Sequence, residues 1–363
     1  MTTTAPRRSQ KASFRDRLLR LAGTVTTPLL PGDYLDMIAP LRAGAPLRGR
    51  IVAVRPETRD AATLVIQPGR GWHGHLPGQY VRLGVDVDGV RQWRAYSVTS
   101  APGAADGRIS VTVKAIPDGK VSNHLVRRIR PGTIVQLDQA QGDFVLPTAT
   151  PERVLFLTAG SGITPVMGML RAGLTERADV VLVHSAPTRN DVIFGAELRA
   201  LADRGAVRLV ERHTATSGLL DVAELDHLVP DHAQRHTWAC GPIGMLDAVE
   251  GYWTSNGVIE RLHTERFRPT VITPGDGGTV TFTGAGVTVE ADGATTLLDA
   301  GENAGVLMPS GCRMGICYGC VVPLRQGAVR DLRNGDVTTA VPGDGVRIQT
   351  CVSAAAGTCD IEL

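Results

Sequence analysis

Short runs of alternating or β-branched residues dominate the chain between residues 46 and 148. Gly, Pro and Asp turns separate these runs, a pattern that predicts the short strands of an antiparallel barrel. The six predicted strands are Gly49–Val54, Ala62–Gln67, Tyr80–Val87, Arg91–Val98, Arg108–Ala115 and Ile134–Asp138. We therefore expect an antiparallel six-stranded β-barrel over residues 46–148.

The pattern changes near residue 150, where continuous apolar runs begin to alternate with helical stretches. Such runs are typical of parallel strands that are covered by helices on both faces. Strands are predicted at Val154–Thr158, Asp179–His184, Val207–Arg212 and Thr237–Cys240, with helices at 163–173 and 194–204. Residues 149–268 are therefore expected to form a parallel α/β domain.

A Pro- and Gly-rich stretch at 269–278 predicts a linker, after which residues 279–363 form a further domain. A hairpin is expected from Thr279–Thr283 and Gly286–Glu290, and a helix at Thr296–Ala304. With this third unit, the chain is predicted to be a multi-domain protein that combines α+β and α/β architecture.

Residues 1–45 precede the barrel as a predicted helical extension. Four apolar residues fall on one helical face beside three arginines: Phe14, Leu18, Leu21 and Ala22, with Arg15, Arg17 and Arg20. A basic amphipathic helix over 11–23 could contact an anionic membrane, although a transit peptide, a packed helix or a disordered segment has similar composition. Pro31 to Asp33 then predict a cap before a short helix at Tyr34–Ala39.

The charge is small but unevenly spread. The chain of 363 residues has a net charge of +2, which excludes the strongly basic surface of a nucleic-acid-binding protein. Residues 277–363 carry nine acidic and five basic side chains, a net charge of −4 against +6 for the remainder. An acidic electron carrier commonly docks on a basic partner. Without a secretory signal or an apolar run long enough to span a bilayer, the expected location is cytoplasmic, with a peripheral contact at the inner face of the membrane.

Three of the six cysteines, Cys312, Cys317 and Cys320, stand in the spacing C-x4-C-x2-C, and a fourth, Cys351, follows about thirty residues later. This is the plant-type spacing for a [2Fe–2S] cluster. Structural zinc, the alternative, usually takes two C-x2-C pairs, and the sequence contains one. A cluster of this type passes one electron at a time, so the spacing predicts an electron-transfer protein.

Two segments of the barrel offer the groups that a flavin needs. Arg94, Tyr96 and Ser97 supply a cation for its phosphate, a flat surface for its ring and a hydrogen bond near N5. The segment from Gly119 to Ser122 follows a strand and opens a predicted helix, whose backbone N–H groups could face a pyrophosphate. Taken alone, each segment is equally typical of a packed tyrosine or an ordinary capped helix.

Two further segments follow strands of the α/β domain. Gly160 and Gly162 lie between the first strand and a helix, where glycine lets the backbone approach a dinucleotide phosphate, although the full G-x-G-x-x-G pattern is missing. Cys240 to Pro242 follow the last predicted strand, at the edge where open α/β sheets bind ligands. A single cysteine there is more often a small buried residue than a reactive thiol.

In this order the motifs resemble those of the ferredoxin–NADP reductase family, joined to a C-terminal plant-type ferredoxin domain. The resemblance covers about residues 46–363. It implies a FAD-binding β-barrel, an NAD(P)-binding α/β domain and a β-grasp ferredoxin domain. It also implies that NAD(P)H reduces FAD and that single electrons leave through the cluster. The chain looks closest to the actinobacterial electron-transfer partners of acyl desaturases and monooxygenases.

The resemblance also implies roles for matching residues. Arg94 would bind the flavin phosphates, Tyr96 would stack on the isoalloxazine ring, and Ser97 would face N5. The FAD pyrophosphate would lie on Gly119, Lys120, Val121 and Ser122. The nicotinamide nucleotide would lie against Gly160, Ser161, Gly162, Thr164, Cys240, Gly241 and Pro242, with Cys240 beside C4. Phe267 could cover the other flavin face, and the catalytic group would comprise Ser97, Thr164, Cys240 and Glu265.

NADPH is expected in preference to NADH. Arg189 and Arg212 follow the second and third predicted strands of the α/β domain, where a 2′-phosphate could be met, although solvated surface arginines are an alternative. The expected electron acceptor is a membrane acyl desaturase or di-iron monooxygenase, and the alternative is a Rieske-type, steroid or aromatic-ring hydroxylase. A redox-sensing regulator and a structural zinc-binding module are the other classes that the sequence leaves open.

Overall fold

The structure, a computed structural model, describes residues 31–117, 119–267, 274–311, 313–315 and 318–363. The predicted amphipathic helix at 11–23 and the predicted ligands Cys312 and Cys317 lie outside the described residues. The first described element is a helix, α1 (Pro31–Ile38), which begins before the predicted start at Tyr34.

An antiparallel sheet of six strands forms the predicted barrel, in the order β4-β3-β6-β1-β2-β5. An isolated bridge between Val98 and Val111 brings its two edges together. Helix α2 (Lys120–Arg127) buries Val121 and Leu125 in the barrel core. The strands are β1 (Arg48–Thr58), β2 (Ala61–Pro68), β3 (Tyr80–Val87), β4 (Val90–Ser97), β5 (Ile109–Lys114) and β6 (Ile134–Leu137), so all six predicted strands are confirmed.

The α/β domain contains a parallel five-stranded sheet in the order β11-β10-β7-β8-β9. Its strands are β7 (Arg153–Ala159), β8 (Asp179–Ala186), β9 (Arg208–His213), β10 (His236–Cys240) and β11 (Leu262–Glu265). The four predicted strands are confirmed. The prediction missed β11, because its four residues include only one apolar side chain and give no hydrophobic run.

Helices cover both faces of this sheet, as expected for parallel strands. They are α3 (Ile163–Arg171) and α4 (Gly195–Asp203), which confirm the predicted helices, and α5 (Ile243–Ser255). Met167 of α3 and Leu198 of α4 pack with Phe156 of β7 on one face, whereas Trp253 of α5 packs with Leu155 on the other. Short helices at Thr214–Ser217 and Leu225–Leu228 follow β9. In the described parts of the chain, no helix combines the length and the apolar character needed to cross a bilayer.

The third domain is a mixed sheet in the order β13-β12-β17-β14-β15, with β16 paired to β14. One helix, α6 (Leu297–Asn303), packs on it through Leu297 and Leu298, which lie in the same apolar core as Phe282. The strands are β12 (Gly278–Phe282), β13 (Val287–Ala291), β14 (Val321–Asp331), β15 (Val337–Ala340), β16 (Arg347–Gln349) and β17 (Ser353–Ile361). The predicted hairpin and helix are confirmed, and the arrangement is the ferredoxin-like fold that was expected.

Candidate flavin, nucleotide and cluster site

A single cavity of about 880 Å³ has walls from all three domains. The barrel contributes Arg94, Tyr96 and Ser97, together with the residues from Gly119 to Ser122. The α/β domain contributes Ser161, Thr164, Glu265 and Phe267. The ferredoxin-like domain contributes, among others, Asp299, Glu302, Arg313 and Cys351. The structure therefore brings the predicted flavin residues to one space with Ser161 and Thr164 of the nucleotide turn and with Cys351 of the cluster, whereas Gly160, Gly162, Cys240, Arg189 and Arg212 do not line it.

Strand β4 supplies the barrel wall, with Arg94 and Tyr96 at alternate positions and therefore on one side of the strand. Burial and, to a smaller extent, the nearby Arg313 together lower the pKa of Arg94 to about 10, so Arg94 remains a cation at neutral pH. Its Nη1 donates to the carbonyl oxygen of Trp93 at 2.8 Å. Burial raises the pKa of the Tyr96 phenol, which stays neutral.

Ser97 is the last residue of β4. Its hydroxyl is buried and has no hydrogen-bond partner among the described residues. The residue is 3% exposed and lines the cavity. Buried polar atoms are almost always hydrogen-bonded, so this hydroxyl is an indication of a missing ligand atom. A cation, an aromatic ring and an unpartnered hydroxyl along one strand fit the phosphate, ring and N5 edge of a flavin.

The first turn of α2 forms the neighbouring part of the wall. Ser122 Oγ donates to the Gly119 carbonyl oxygen at 3.3 Å, and none of the described side chains caps the helix start. A Cβ on Gly119 would lie 2.4 Å from Ser122 Oγ and 2.5 Å from the Ile116 side chain, so the turn requires glycine. Because the Val121 side chain is in the barrel core, only its backbone can serve a pyrophosphate, together with Lys120.

The second glycine of the turn between β7 and α3 also has a packing role. A Cβ on Gly162 would lie 2.0 Å from the carbonyl oxygen of Cys240, so this glycine allows the turn to pack against the end of β10. Gly160 has φ +54°, and a Cβ placed there would meet no atom within 4 Å. Thr164 Oγ1 donates to the Ser161 carbonyl oxygen at 2.9 Å, and both residues line the cavity.

Cys240 is fully buried in the core of the α/β domain, behind the cavity wall. Burial raises the pKa of its thiol well above the usual value, and neighbouring Glu265 raises it further. The group is therefore a neutral thiol, not a thiolate nucleophile. Gly241 and Pro242 connect it to α5, and a Cβ on Gly241 would lie 3.3 Å from the Cβ of Ala159.

Glu265, at the end of β11, is a buried acid that faces the cavity. Burial raises its pKa from 4.5 to about 8, so the carboxyl group is mostly protonated at neutral pH. Its Oε2 is buried and lacks a hydrogen-bond partner within the described ranges. Phe267 lies beside it on the same wall and packs against the core of the α/β domain.

The two arginines predicted for the 2′-phosphate differ in their surroundings. Arg189 lies in the turn that follows β8. Burial raises the pKa of Glu211, but hydrogen bonds from Arg199 and His213 and, to a smaller extent, the charges of Arg199 and Arg189 lower it overall. Arg212 lies within β9, where its Nη1 donates to Glu224 at 2.6 Å and its other nitrogens donate to backbone carbonyls at 2.6 and 3.0 Å. A phosphate would therefore compete with Glu224 for Arg212.

Two of the four predicted cluster ligands are described, and they lie together. The Sγ atoms of Cys320 and Cys351 are 3.2 Å apart, and both residues are buried. The pairing of Val321 on β14 with Gln349 on β16 brings them together across 31 residues of sequence. Arg333 Nη1 and Gln349 Nε2 donate to the Gly315 carbonyl oxygen at 3.2 and 3.0 Å, which holds the cluster loop on the sheet.

The sequence analysis missed three charged residues of the cavity. Arg313, within the cluster loop, donates to Asp299 at 3.1 Å and forms a second ion pair with Glu302, both on α6. These three charges also act on Arg94 across the cavity. The spacing of Asp299 and Glu302 on one helical face was visible in the sequence, but their partner belongs to another segment.

Comparison with known families agrees with this geometry. The chain matches the oxidoreductase FAD-binding domain over residues 51–146, the oxidoreductase NAD-binding domain over 156–251, and the 2Fe-2S iron-sulfur cluster binding domain over 280–356. The predicted cofactors, FAD, NAD(P)H and a [2Fe–2S] cluster, are thereby confirmed. The alternative of a structural zinc-binding module is not supported.

Similar proteins span nearly the whole chain. An "NADPH oxidoreductase" of Mycobacterium tuberculosis is 52% identical over 95% of this chain and 92% of its own length. A "3-ketosteroid-9-alpha-monooxygenase, ferredoxin reductase component" of Mycolicibacterium smegmatis is 32% identical over 77% of this chain and 86% of its own. The solved structure of phthalate dioxygenase reductase has a TM-score of 0.58 at 22% identity, covering 87% of this chain and 97% of that chain, which shows the shared fold.

Proposed function

The chain belongs to the family of NAD(P)H-dependent oxidoreductases with FAD-binding, NAD-binding and 2Fe-2S domains, and we propose that it uses NADPH to supply an oxygen-activating enzyme at a membrane surface. The favoured acceptor is an acyl desaturase or a related di-iron monooxygenase. The observation that carries the proposal is the shared cavity. Its walls include β4, here called the flavin strand, the turn between β7 and α3, here called the nucleotide turn, and Cys351.

The residues around the cavity are suited to an electron relay. Bound FAD would accept a hydride as a pair of electrons and release them singly, which is the conversion that a one-electron cluster requires. Ser97 offers its unpartnered hydroxyl to the flavin edge, and Thr164 belongs to the nucleotide side of the same space. Glu265 holds a proton near neutral pH, and Phe267 adds an aromatic ring to the cavity wall.

Helix α1 supports an acceptor at a membrane. Its Leu35, Met37 and Ile38 side chains are 52%, 65% and 84% exposed, although apolar residues on a short helix are usually buried. Adjacent exposed apolar side chains of this kind are suited to an apolar partner surface or to the interface of a lipid bilayer. The described part of the extension therefore presents an apolar surface that is suited to an acceptor at a membrane.

The relatives favour a second candidate acceptor. Two similar proteins are reductase components of a 3-ketosteroid monooxygenase and a glycine betaine monooxygenase, and these reductase components are 32% and 30% identical to this chain. A steroid or Rieske-type oxygenase is accordingly the alternative to a membrane desaturase. A redox-sensing regulator would be distinguished from both by the absence of fast NADPH turnover with an artificial acceptor.

A reconstituted assay separates these candidates. The anaerobically purified protein is mixed with NADPH and either a membrane acyl desaturase in lipid vesicles or a soluble Rieske oxygenase, and oxidised product is measured per NADPH consumed. We expect tight coupling with the desaturase. A triple substitution of Leu35, Met37 and Ile38 with Ser should lower this coupling without changing ferricyanide reduction. Coupling with the Rieske oxygenase alone would reject the membrane acceptor.

A further inference from the structure

Helix α3 lies beside the flavin strand and contacts it at successive positions. Thr164, Gly168 and Arg171 are spaced one turn apart and therefore share one face of the helix. Thr164 and Ser97 line the same cavity. A Cβ on Gly168 would lie 2.5 Å from the Val98 carbonyl oxygen, and Arg171 Nη1 donates to the Thr99 carbonyl oxygen at 2.8 Å. The helix is thus aligned with the backbone that follows Ser97.

Arg171 is the polar contact that holds this alignment. Its Nε and Nη2 donate to the two carboxylate oxygens of Glu197 at 2.9 and 2.6 Å, a bidentate pair that fixes the plane of the guanidinium. The guanidinium carbon lies 4.8 Å from the ring centroid of Phe194. Since all three nitrogens have partners, Arg171 can present Nη1 to Thr99 in one orientation.

Phe194 adds an unusual feature to this contact. Its φ is +61°, in the left-handed region that is costly for a bulky residue, and its side chain is 3% exposed. Strained backbone of this kind persists only where surrounding contacts determine it, and such sites are often functional. Here the strain places the ring against Arg171 at the start of α4.

We propose that Arg171 is a positioning residue for hydride transfer. It fixes the NAD-binding domain against the β-barrel and so sets the distance between Thr164 and Ser97. Arg171 affects only the reductive half of the reaction, so its role is the same for any electron acceptor. Hydride transfer depends steeply on donor–acceptor geometry, and a displacement of about 1 Å can change a rate roughly a hundredfold. Arg171 acts through the contact between the two domains, because it binds the Thr99 carbonyl oxygen and does not line the cavity.

The test uses the full-length, FAD-loaded protein and four variants. Arg171→Gln removes the bidentate pair, and Arg171→Lys keeps the positive charge. Glu197→Gln removes the carboxylate, and Gly168→Ala inserts a methyl group against Val98. Arg177→Gln is the matched control, because the described bonds of Arg177 go to carbonyls of Gly173 and Ala172 in its own turn. Flavin reduction is followed anaerobically in single turnovers with NADPH and with NADPH deuterated at C4.

We expect Arg171→Gln and Gly168→Ala to slow flavin reduction at least about tenfold, with a larger and more temperature-dependent isotope effect. The affinity for NADPH and the rate of electron transfer from the reduced flavin to the cluster should stay within about twofold of the parent protein. Glu197→Gln should give a smaller change of the same kind, Arg171→Lys should recover part of the rate, and Arg177→Gln should change nothing.

A second readout is independent of the reaction. In FAD-free protein without nucleotide, amide hydrogen exchange of residues 97–100 should accelerate in Arg171→Gln and not in Arg177→Gln, because the carbonyl contact at Thr99 is lost. Unchanged exchange together with an unchanged isotope effect in Arg171→Gln and Gly168→Ala would overturn the proposal. A rate loss in Arg171→Gln alone, with exchange accelerated across all three domains, would make Arg171 a stability residue and equally overturn it.

Discussion

At the scale of single residues, the two most informative groups are polar atoms without protein partners. Ser97 Oγ and Glu265 Oε2 are both buried, both face the cavity, and neither has a hydrogen-bond partner in the described portion of the chain. An unsatisfied buried group costs about 1–3 kcal/mol, so two of them in one cavity indicate a ligand that satisfies them. The sequence motifs predicted both residues. The hydrogen bonding of Ser97 and the protonation of Glu265, however, depend on neighbours that the motifs do not contain.

Replacing Ser97 with Ala should separate catalysis from stability. The variant removes an unpartnered hydroxyl, so the FAD-free protein should unfold at the same temperature or slightly higher. Flavin reduction by NADPH should slow roughly a hundredfold, the scale of losing one preorganised donor. Ser185→Ala is the matched control, since Ser185 Oγ is another buried unpartnered hydroxyl, on β8 of the nucleotide-binding sheet. Equal slowing in both variants would contradict the assignment.

Glu265 predicts a specific pH dependence of stability. Its pKa is raised from 4.5 to about 8 in the folded protein, so its stabilising contribution is complete below pH 4.5 and is lost as the pH rises through about 8. In FAD-free protein, the free energy of unfolding should therefore fall between these values more steeply than in Glu265→Gln. Urea unfolding at closely spaced pH values measures the difference between the two proteins. Parallel curves would show that Glu265 ionises normally.

Arg189 and Arg212 can be separated by nucleotide preference. Arg189→Ala should raise KM for NADPH about tenfold or more and leave KM for NADH nearly unchanged, because only NADPH carries the 2′-phosphate. Arg212→Ala should shift the same ratio less, since Arg212 is already bound to Glu224 at 2.6 Å. Steady-state kinetics with ferricyanide give both constants. Equal effects of each variant on the two nucleotides would reject both arginines as phosphate contacts.

At the scale of elements, the strand–helix turns show where local patterns are sufficient and where they are not. Continuous apolar runs correctly predicted β7, β8 and β10, because a strand that is buried on both faces needs apolar residues at every position. The same reasoning missed β11, a short edge strand that carries Glu265. It also did not predict that a Cβ on Gly162 would meet the carbonyl oxygen of Cys240, which belongs to a distant segment.

Gly162→Ala tests the packing role of this turn. A methyl group 2.0 Å from the Cys240 carbonyl oxygen forces the backbone to shift, which should lower stability by about 1–3 kcal/mol. Gly251→Ala, in the exposed middle of α5 with open space around it, should raise stability by up to about 1 kcal/mol. Thermal unfolding of the two variants measures both signs. A neutral Gly162→Ala would show that the turn is free to move.

At the scale of the whole molecule, the three domains act together because one cavity has walls from each of them. On the nucleotide side, Arg171 aligns α3 with the flavin strand. On the cluster side, Arg313 holds the cluster loop to α6 through Asp299 and Glu302 and faces Arg94 of the barrel. The two contacts are therefore expected to affect opposite halves of the electron path.

Arg313→Gln should slow the transfer of electrons from the flavin to the cluster and leave flavin reduction by NADPH unchanged. The reason is that loss of both ion pairs frees the loop next to Cys312 from α6 and alters its approach to the barrel. Stopped-flow absorbance at the flavin and cluster bands resolves the two steps, and the visible spectrum checks cluster content. Arg325→Gln, an exposed arginine of β14, is the control. Slowing of both steps to the same extent would contradict this division.

The sequence by itself determined the order of the three domains, the barrel strands, the α/β alternation and the cysteine spacing of the cluster. These features depend on residues that are close along the chain, where hydrophobic period and ligand spacing act directly. Only the tertiary structure decided the neutral state of Glu265, the packing role of Gly162 and the contact between Arg171 and Thr99. Each depends on burial or on a partner from a distant segment, and no local pattern specifies which segments meet.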